Sequence, residues 1–168
     1  MKNRDWDLHF LQLCCDCARL SKDPSTRVGS VIVGPDNEVR STGFNGFPRG
    51  IKDTDERLNN REVKYKLIVH GEMNAVLTAA RIGTPLKGCT LYLCATSADG
   101  SQVWGGVPCT RCTVEIIQAG ITEVVTFPDT YVPLRWRDDL LLSNALLKEA
   151  GVNVRIVEFN TYREDGGK

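Results

Sequence analysis

No sign of charge is in excess: 21 Lys and Arg are met by 21 Asp and Glu, a formal net charge of zero. Neither long nucleic acid nor an anionic membrane is indicated by such a balance, and any anionic ligand must be met locally. No apolar run is long enough to span a bilayer, and Met1-Lys2-Asn3-Arg4-Asp5 leads straight into an amphipathic segment without an apolar signal core. A cytoplasmic protein is expected. There is no internal repeat, no low-complexity stretch and no linker long enough to divide the chain. At 168 residues and 42% hydrophobic content it suits one compact domain that buries a core without disulfides. Histidine occurs only at His9 and His70, whereas cysteine occurs seven times. An odd count, with two cysteines at thiolate-ligand spacing, fits a reducing compartment and metal binding better than a disulfide framework.

What is present concentrates in two short segments. His70-Gly71-Glu72 heads one apolar-periodic stretch, and Pro108-Cys109-Thr110-Arg111-Cys112 heads another. One imidazole and two thiolates hold zinc with its fourth position open, and Glu72, beside the ligand His70, is placed to move protons there. A structural zinc usually takes four protein ligands, and His9 lies far upstream in a different periodic segment. The set His70, Cys109 and Cys112 therefore reads as a hydrolytic centre. Any one of these residues alone would be read as core, and it is the joint pattern that argues for metal. Pro108, lacking an amide hydrogen, suits a sharp strand-to-helix turn just before Cys109.

Periodicity places these segments. Trp6, Phe10, Leu13, Cys14 and Cys17 recur at steps of three and four and predict a core-facing helix over residues 5–20. A polar stretch from Ser21 to Arg27 precedes a β-rich run from Val28 to Gly34, and Pro35-Asp36-Asn37 turns the chain into a second strand at about 38–44. Residues 47–69 read as a loop or lid with room for some helix. Met73, Val76, Leu77 and Ala80 predict a helix from Gly71 to Ile82, stopped by Gly83-Thr84-Pro85. A strand over 90–94, a helix carrying both ligand cysteines at its start and closed by Gly120, a strand over 122–127, a helix over 138–150 and a strand over 152–158 complete the pattern. Strand-helix-strand-helix-strand implies parallel pairing and a three-layer α/β/α sandwich. The tail 159–168 is expected to fray.

With these residues in view, the chain has the H-x-E…P-C-x-x-C form of the zinc-dependent nucleobase deaminases. It resembles the cytidine and deoxycytidylate deaminase superfamily over residues 6–158, and the deoxycytidylate (dCMP) deaminases most closely. Ser21-Lys22-Asp23-Pro24-Ser25-Thr26 before Val28-Gly29, Gly43-Phe44-Asn45-Gly46, and Asn74-Ala75 after Glu72 extend the resemblance. It implies a cytidine deaminase-like mixed sheet of five strands and one catalytic zinc per subunit. The implied reaction is hydrolysis of dCMP to dUMP and ammonia, in which a zinc-bound hydroxide attacks pyrimidine C4 and Glu72 shuttles the protons. It implies that Asn45 meets a deoxyribose hydroxyl, and that Lys22, Ser25, Thr26 and Arg27 offer charge-assisted donors to the 5′-phosphate. Asn-Gly as a plain turn and the polar loop as a solvated one are the bland alternatives. Tyr131 and Trp136 resemble positions near the active-site mouth, where either stacks on a pyrimidine or simply packs. The family commonly forms hexamers, so a homo-oligomer is expected.

Three departures from the family pattern bear on substrate and control. Gly71 stands where alanine is usual, which suggests room for a substituent on the ring and makes a 5-substituted dCMP an open alternative. Residues 95–107 form an insertion, with Asp99-Gly100 and Gly105-Gly106 pointing to a mobile flap or a small hairpin that carries Trp104. Phe44 replaces the usual tyrosine among Gly43, Phe44 and Gly46, where members regulated by dCTP and dTTP hold their effectors, and this puts such control in doubt. A second, structural zinc has no long Cys/His insertion to hold it. Cys14, Cys15 and Cys17 with His9 remain a weak candidate beside the plain core reading, since Cys14 and Cys17 share a helical face and Cys15 points elsewhere. Cys89 and Cys94 read as strand core. A polynucleotide-editing deaminase and a non-catalytic zinc-stabilised scaffold stay open as other functions.

Overall fold

A computed structural model describes residues 5–158, so the tail expected to fray, 159–168, lies outside the described residues. Five strands form one continuous sheet in the order β2-β1-β3-β5-β6. They are β1 (Thr26–Val33), β2 (Val39–Phe44), β3 (Thr90–Ser97), β5 (Glu123–Thr126) and β6 (Asn153–Ile156). β1 runs antiparallel to β2 and β3, while β3, β5 and β6 are mutually parallel, as the alternation of strands and helices in the second half of the chain requires. A two-residue strand, β4 (Val103–Trp104), pairs antiparallel with β3 beyond the end of β5 and makes the sheet six-stranded. The insertion at 95–107 is thus a hairpin, and it lengthens β3 past residue 94 because Ala95 and Thr96 pair with Trp104 and Val103.

Side chains alternate across each strand and sort the core into two layers. Val31, Val33, Tyr92, Cys94 and Val125 face α1 (Trp6–Ala18), whose Phe10, Leu11, Cys14, Cys15 and Cys17 are buried against them. Ile32, Leu91, Leu93 and Val124 face the opposite way, onto Ala75 and Ala79 of α4 (Gly71–Ile82), Cys112 and Ile116 of α5 (Thr110–Gln118), and Leu147 of α6 (Arg137–Glu149). This is the expected three-layer sandwich. The cysteines of α1 serve that core, and they form no metal-ligand group with His9 among the described residues.

Residues 47–69 are more ordered than a loop. Two short helices, α2 (Asp55–Asn59) and α3 (Arg61–Leu67), are each started by a side-chain cap, Thr54 to Arg57 N and Asn60 to Val63 N. Gly46 and Val69 then exchange backbone hydrogen bonds of 3.0 and 2.8 Å, which ties the end of β2 to the residue before His70. No helix among the described residues is long and apolar enough to cross a membrane.

Candidate active site

His70 is the N-cap residue of α4 and Cys109 that of α5, so two helix N-termini converge on one point. Their positive dipole ends favour the thiolates that must form there. His70 Nδ1 lies 3.3 Å from Cys109 Sγ and 3.4 Å from Cys112 Sγ. A tetrahedral zinc with Zn–S of about 2.3 Å and Zn–N of about 2.0–2.1 Å holds its nitrogen and sulfur ligands about 3.5 Å apart. The three donors therefore already stand at the spacing of one zinc ion, and among the described residues no other group of three is close enough to share a metal.

The protonation pattern fits the same purpose. The hydrogen bond from the Cys112 thiol, and then the His70 imidazole, hold Cys109 down at about 4, while that same bond pushes Cys112 upward. Hydrogen bonding to Cys109 raises His70 to about 9. The cluster thus carries protons that a metal displaces on binding. Glu72, 5% exposed, is pushed up to about 7 chiefly by burial, and its Oε2 is buried without a hydrogen-bond partner. Leaving a buried carboxylate oxygen unpaired is costly and calls for an explanation.

His70, Glu72 and Cys109 line a cavity of about 240 Å³. Of the residues expected at the substrate, Ser25, Thr26, Asn45 and Trp136 line it too. Asn45 is buried, and its amide is partly committed: Oδ1 accepts from Val28 N at 2.7 Å and Nδ2 donates to Thr26 O at 2.9 Å. One hydrogen and one lone pair of that amide remain for a ligand.

Four residues do not reach the cavity. Lys22 is exposed and paired with Asp53 at 3.0 Å. Arg27 follows Thr26 on a strand, where neighbours point to opposite faces, and its Nε turns back to Asp23 O at 3.4 Å. Gly71 packs on β1 rather than on the cavity wall: a Cβ there would sit 3.0 Å from Val28 O and 3.1 Å from Val28 Cγ1. Its missing methyl gives room to Val28, not directly to a substrate ring. Tyr131 is exposed and meets Trp104 edge-to-face, with ring centroids 5.9 Å apart, so Trp104 of the hairpin stands on the wall where Tyr131 was expected.

The residues expected to hold effectors have local roles. Gly43 lets β2 approach the backbone of α4, Phe44 O accepts from Asn74 Nδ2 at 2.8 Å, and Gly46 pairs with Val69. Among the wall residues that the sequence reading did not assign to the site are Lys64 and Trp104. Lys64 lies in a segment whose basic residues look solvated, and its partners Asp23 and Ser25 are some forty residues away. Only the bulk of Trp104, in an otherwise small and polar insertion, hinted at burial.

The profile of the cytidine and deoxycytidylate deaminase zinc-binding region matches residues 4–127. An uncharacterized deaminase of Aliivibrio fischeri is 36% identical over 150 residues, covering 89% of this chain and 91% of that protein. The human deoxycytidylate deaminase is 32% identical over 158 residues, covering 90% of this chain and 79% of that one. A dCMP deaminase from the cyanophage S-TIM5, solved with dCMP and dUMP, superposes with a TM-score of 0.68 at 19% identity, covering 94% of this chain and 99% of that one, which speaks for the fold. With its His70, Cys109 and Cys112 spaced for one zinc ion at the carboxyl-terminal side of such a sheet, the chain belongs to the cytidine and deoxycytidylate deaminase family.

Proposed function

We propose that the protein hydrolyses dCMP to dUMP and ammonia. The observation that carries this reading is the unpartnered, buried Oε2 of Glu72 in the same cavity as the His70, Cys109 and Cys112 donors. Zinc held by those three supplies a Lewis acid that lowers the pKa of bound water from about 15.7 to about 7. Glu72 takes one proton from the adding water and passes it to the ring nitrogen, then takes the remaining proton from the new C4 hydroxyl and delivers it to the amine as the C4–N bond breaks, leaving the C4 carbonyl. A buried carboxyl held above its ordinary range accepts and returns protons readily, which suits these transfers. Trp104 and Trp136 supply apolar wall for a base, and the polar lining residues Ser25, Thr26 and Asn45 suit sugar and phosphate. Several relatives of known name, including the human one, are deoxycytidylate deaminases, which favours dCMP over the free base.

The zinc-loaded protein is to be tested on dCMP, 5-methyl-dCMP, 5-hydroxymethyl-dCMP, CMP, dCTP, deoxycytidine and a cytosine-bearing oligonucleotide, with ammonia and product base both identified. The largest kcat/KM is expected with dCMP. Preference for the oligonucleotide would replace this reading with an editing enzyme, preference for a 5-substituted dCMP would move the ring specificity, and no turnover at full zinc occupancy would refute it. A homo-oligomer belongs to the same reading and is supported by the exposed Leu134, Leu141, Leu142 and Ile156. Sedimentation velocity of the native protein checks it, and a monomer at micromolar concentration would count against it.

A further inference from the structure

The cavity contains a cation that the chemistry at C4 does not use. Lys64, on α3, has a side chain only 11% exposed, and its Nζ lies 3.2 Å from Asp23 Oδ1 and 3.1 Å from Ser25 Oγ. Asp23, Ser25 and Lys64 all line the cavity that reaches Glu72. A buried ammonium is expensive to keep unless it is paired or meets a ligand of opposite charge. Its pairing is incomplete, because the same Asp23 Oδ1 also accepts from Ser25 N at 2.8 Å and Thr26 N at 3.2 Å. One carboxylate oxygen thus serves three donors, which holds the turn and aims the lysine without saturating it.

Donor supply around Lys64 fits an anion. An ammonium has three hydrogens, and two of those on Nζ are directed at Asp23 and Ser25. Ser25 Oγ accepts from Lys64, so its own hydrogen is left to donate. Arg135, exposed, also lines the cavity and adds a second positive charge. The lining carboxyls are those of Asp23 and Glu72, and of these Asp23 is the one in contact with Lys64. Lys22 and Arg27, the cations of the loop itself, do not line the cavity.

We propose that Lys64 Nζ, together with Ser25 Oγ, grips the 5′-phosphate of the nucleotide and sets the preference for a monophosphate over the free nucleoside. The proposal rests on the reading of the protein as a nucleotide deaminase. Lys64 is a specificity residue at the far end of the substrate from the bond that breaks.

The test is the ratio of kcat/KM for dCMP to that for deoxycytidine, measured on zinc-loaded wild type, Lys64→Met, Lys64→Arg and Ser25→Ala, with Tm and zinc content recorded for each. A charge-assisted hydrogen bond corresponds to about 10- to 100-fold, so Lys64→Met is expected to lower the ratio by that much, and Ser25→Ala by about 2- to 10-fold. Lys64→Arg, which keeps the charge, is expected to retain more of the ratio than Lys64→Met. Binding of dUMP against deoxyuridine, read by calorimetry, is expected to show the same selective loss. An equal loss on both substrates would show that Lys64 only supports the fold, and an unchanged ratio would overturn the proposal outright. Should Lys64→Met fail to fold, Ser25→Ala and Lys64→Arg decide it in the same way. If wild type prefers another phosphorylated pyrimidine and the ratio against its nucleoside collapses in Lys64→Met, the dCMP reading fails while this one stands. If dCMP is preferred and the ratio is untouched, the reverse holds.

Discussion

The two glycines of Gly43-Phe44-Asn45-Gly46 are only three residues apart, yet they are expected to respond oppositely to alanine. A Cβ on Gly43 would lie 2.3 Å from Gly71 O and 2.4 Å from Ala75 N, about 1 Å inside ordinary contact, and both are backbone atoms of α4 that cannot swing aside. The first turns of α4 are also stitched to β2 by Ser41 Oγ donating to Ala75 O at 2.7 Å and Asn74 Nδ2 donating to Phe44 O at 2.8 Å. Gly43→Ala must therefore lever α4 away from the sheet against those bonds. Overpacking of this kind costs about 1–3 kcal/mol, which at about 2–4 °C per kcal/mol for a chain of this size lowers Tm by about 2–12 °C. Because the helix start carries His70 and Glu72, a displacement of about 1 Å is expected to cost about 10²-fold in kcat even at full zinc loading. A Cβ on Gly46 would meet only Phe44 Cε2, at an ordinary 3.8 Å, and Gly46 is not in the left-handed region, so Gly46→Ala is expected to stay within about 0.5 kcal/mol of wild type. Calorimetric melting and zinc-loaded turnover of both variants read this directly. Wild-type Tm and kcat in Gly43→Ala, or an equal fall in Gly46→Ala, would refute the packing argument.

Glu72→Gln is expected to bind zinc normally and lose about 10²- to 10⁴-fold in kcat, since the amide keeps the shape but cannot carry the proton; near-normal turnover at full occupancy removes Glu72 from its role. Dialysis against a chelator is expected to abolish turnover and lower Tm, both recovering with added zinc, whereas Cys109→Ser is not rescued at equimolar metal; activity that survives complete metal removal would contradict the zinc reading. On the far side of the sheet, Arg155 donates to Asp7 at 3.0 Å and holds Asp7 below the usual carboxylate range, and it also holds Glu123 down in spite of burial. Depressed carboxylates stabilise the fold above their unfolded values near pH 4 and lose that contribution as pH falls through the lower folded values, so Tm is expected to be flat at neutral pH and to drop on acidification below about pH 4. Asp7→Asn, followed by melting across pH, should lower the neutral plateau modestly and flatten the acid limb; an unchanged profile would show the cluster to be energetically idle.

Legibility in the sequence followed the range over which each signal acts. The stripe Met73, Val76, Leu77 and Ala80 and the stop at Gly83 predict a helix from Gly71 to Ile82, and α4 has those bounds because period and cap are both local. The metal cluster was legible for a related reason: each half sits at a helix start within five residues, and only their meeting required the fold. The short helices α2 and α3, of five and seven residues, are too brief to show a period. β3 outran its expected end because its last residues pair with the hairpin of the insertion, and Ala95 and Ser97 carry little strand propensity of their own.

The substrate side was less legible because its residues are chosen by alternation and by distant partners. Thr26 and Arg27 look equally suited to a phosphate, and only the pleat of β1 decides that the first lines the cavity while the second turns to Asp23. Lys22, expected at the phosphate, pairs at the surface with Asp53, whereas Lys64, which the sequence did not single out, is drawn inward by an aspartate 41 residues away. Asn45 shows how a motif position under-describes a residue. Its amide joins the end of β2 to the start of β1, through Val28 N and Thr26 O, and so helps to set an edge of the cavity, a structural role that the pattern Gly43-Phe44-Asn45-Gly46 alone does not announce.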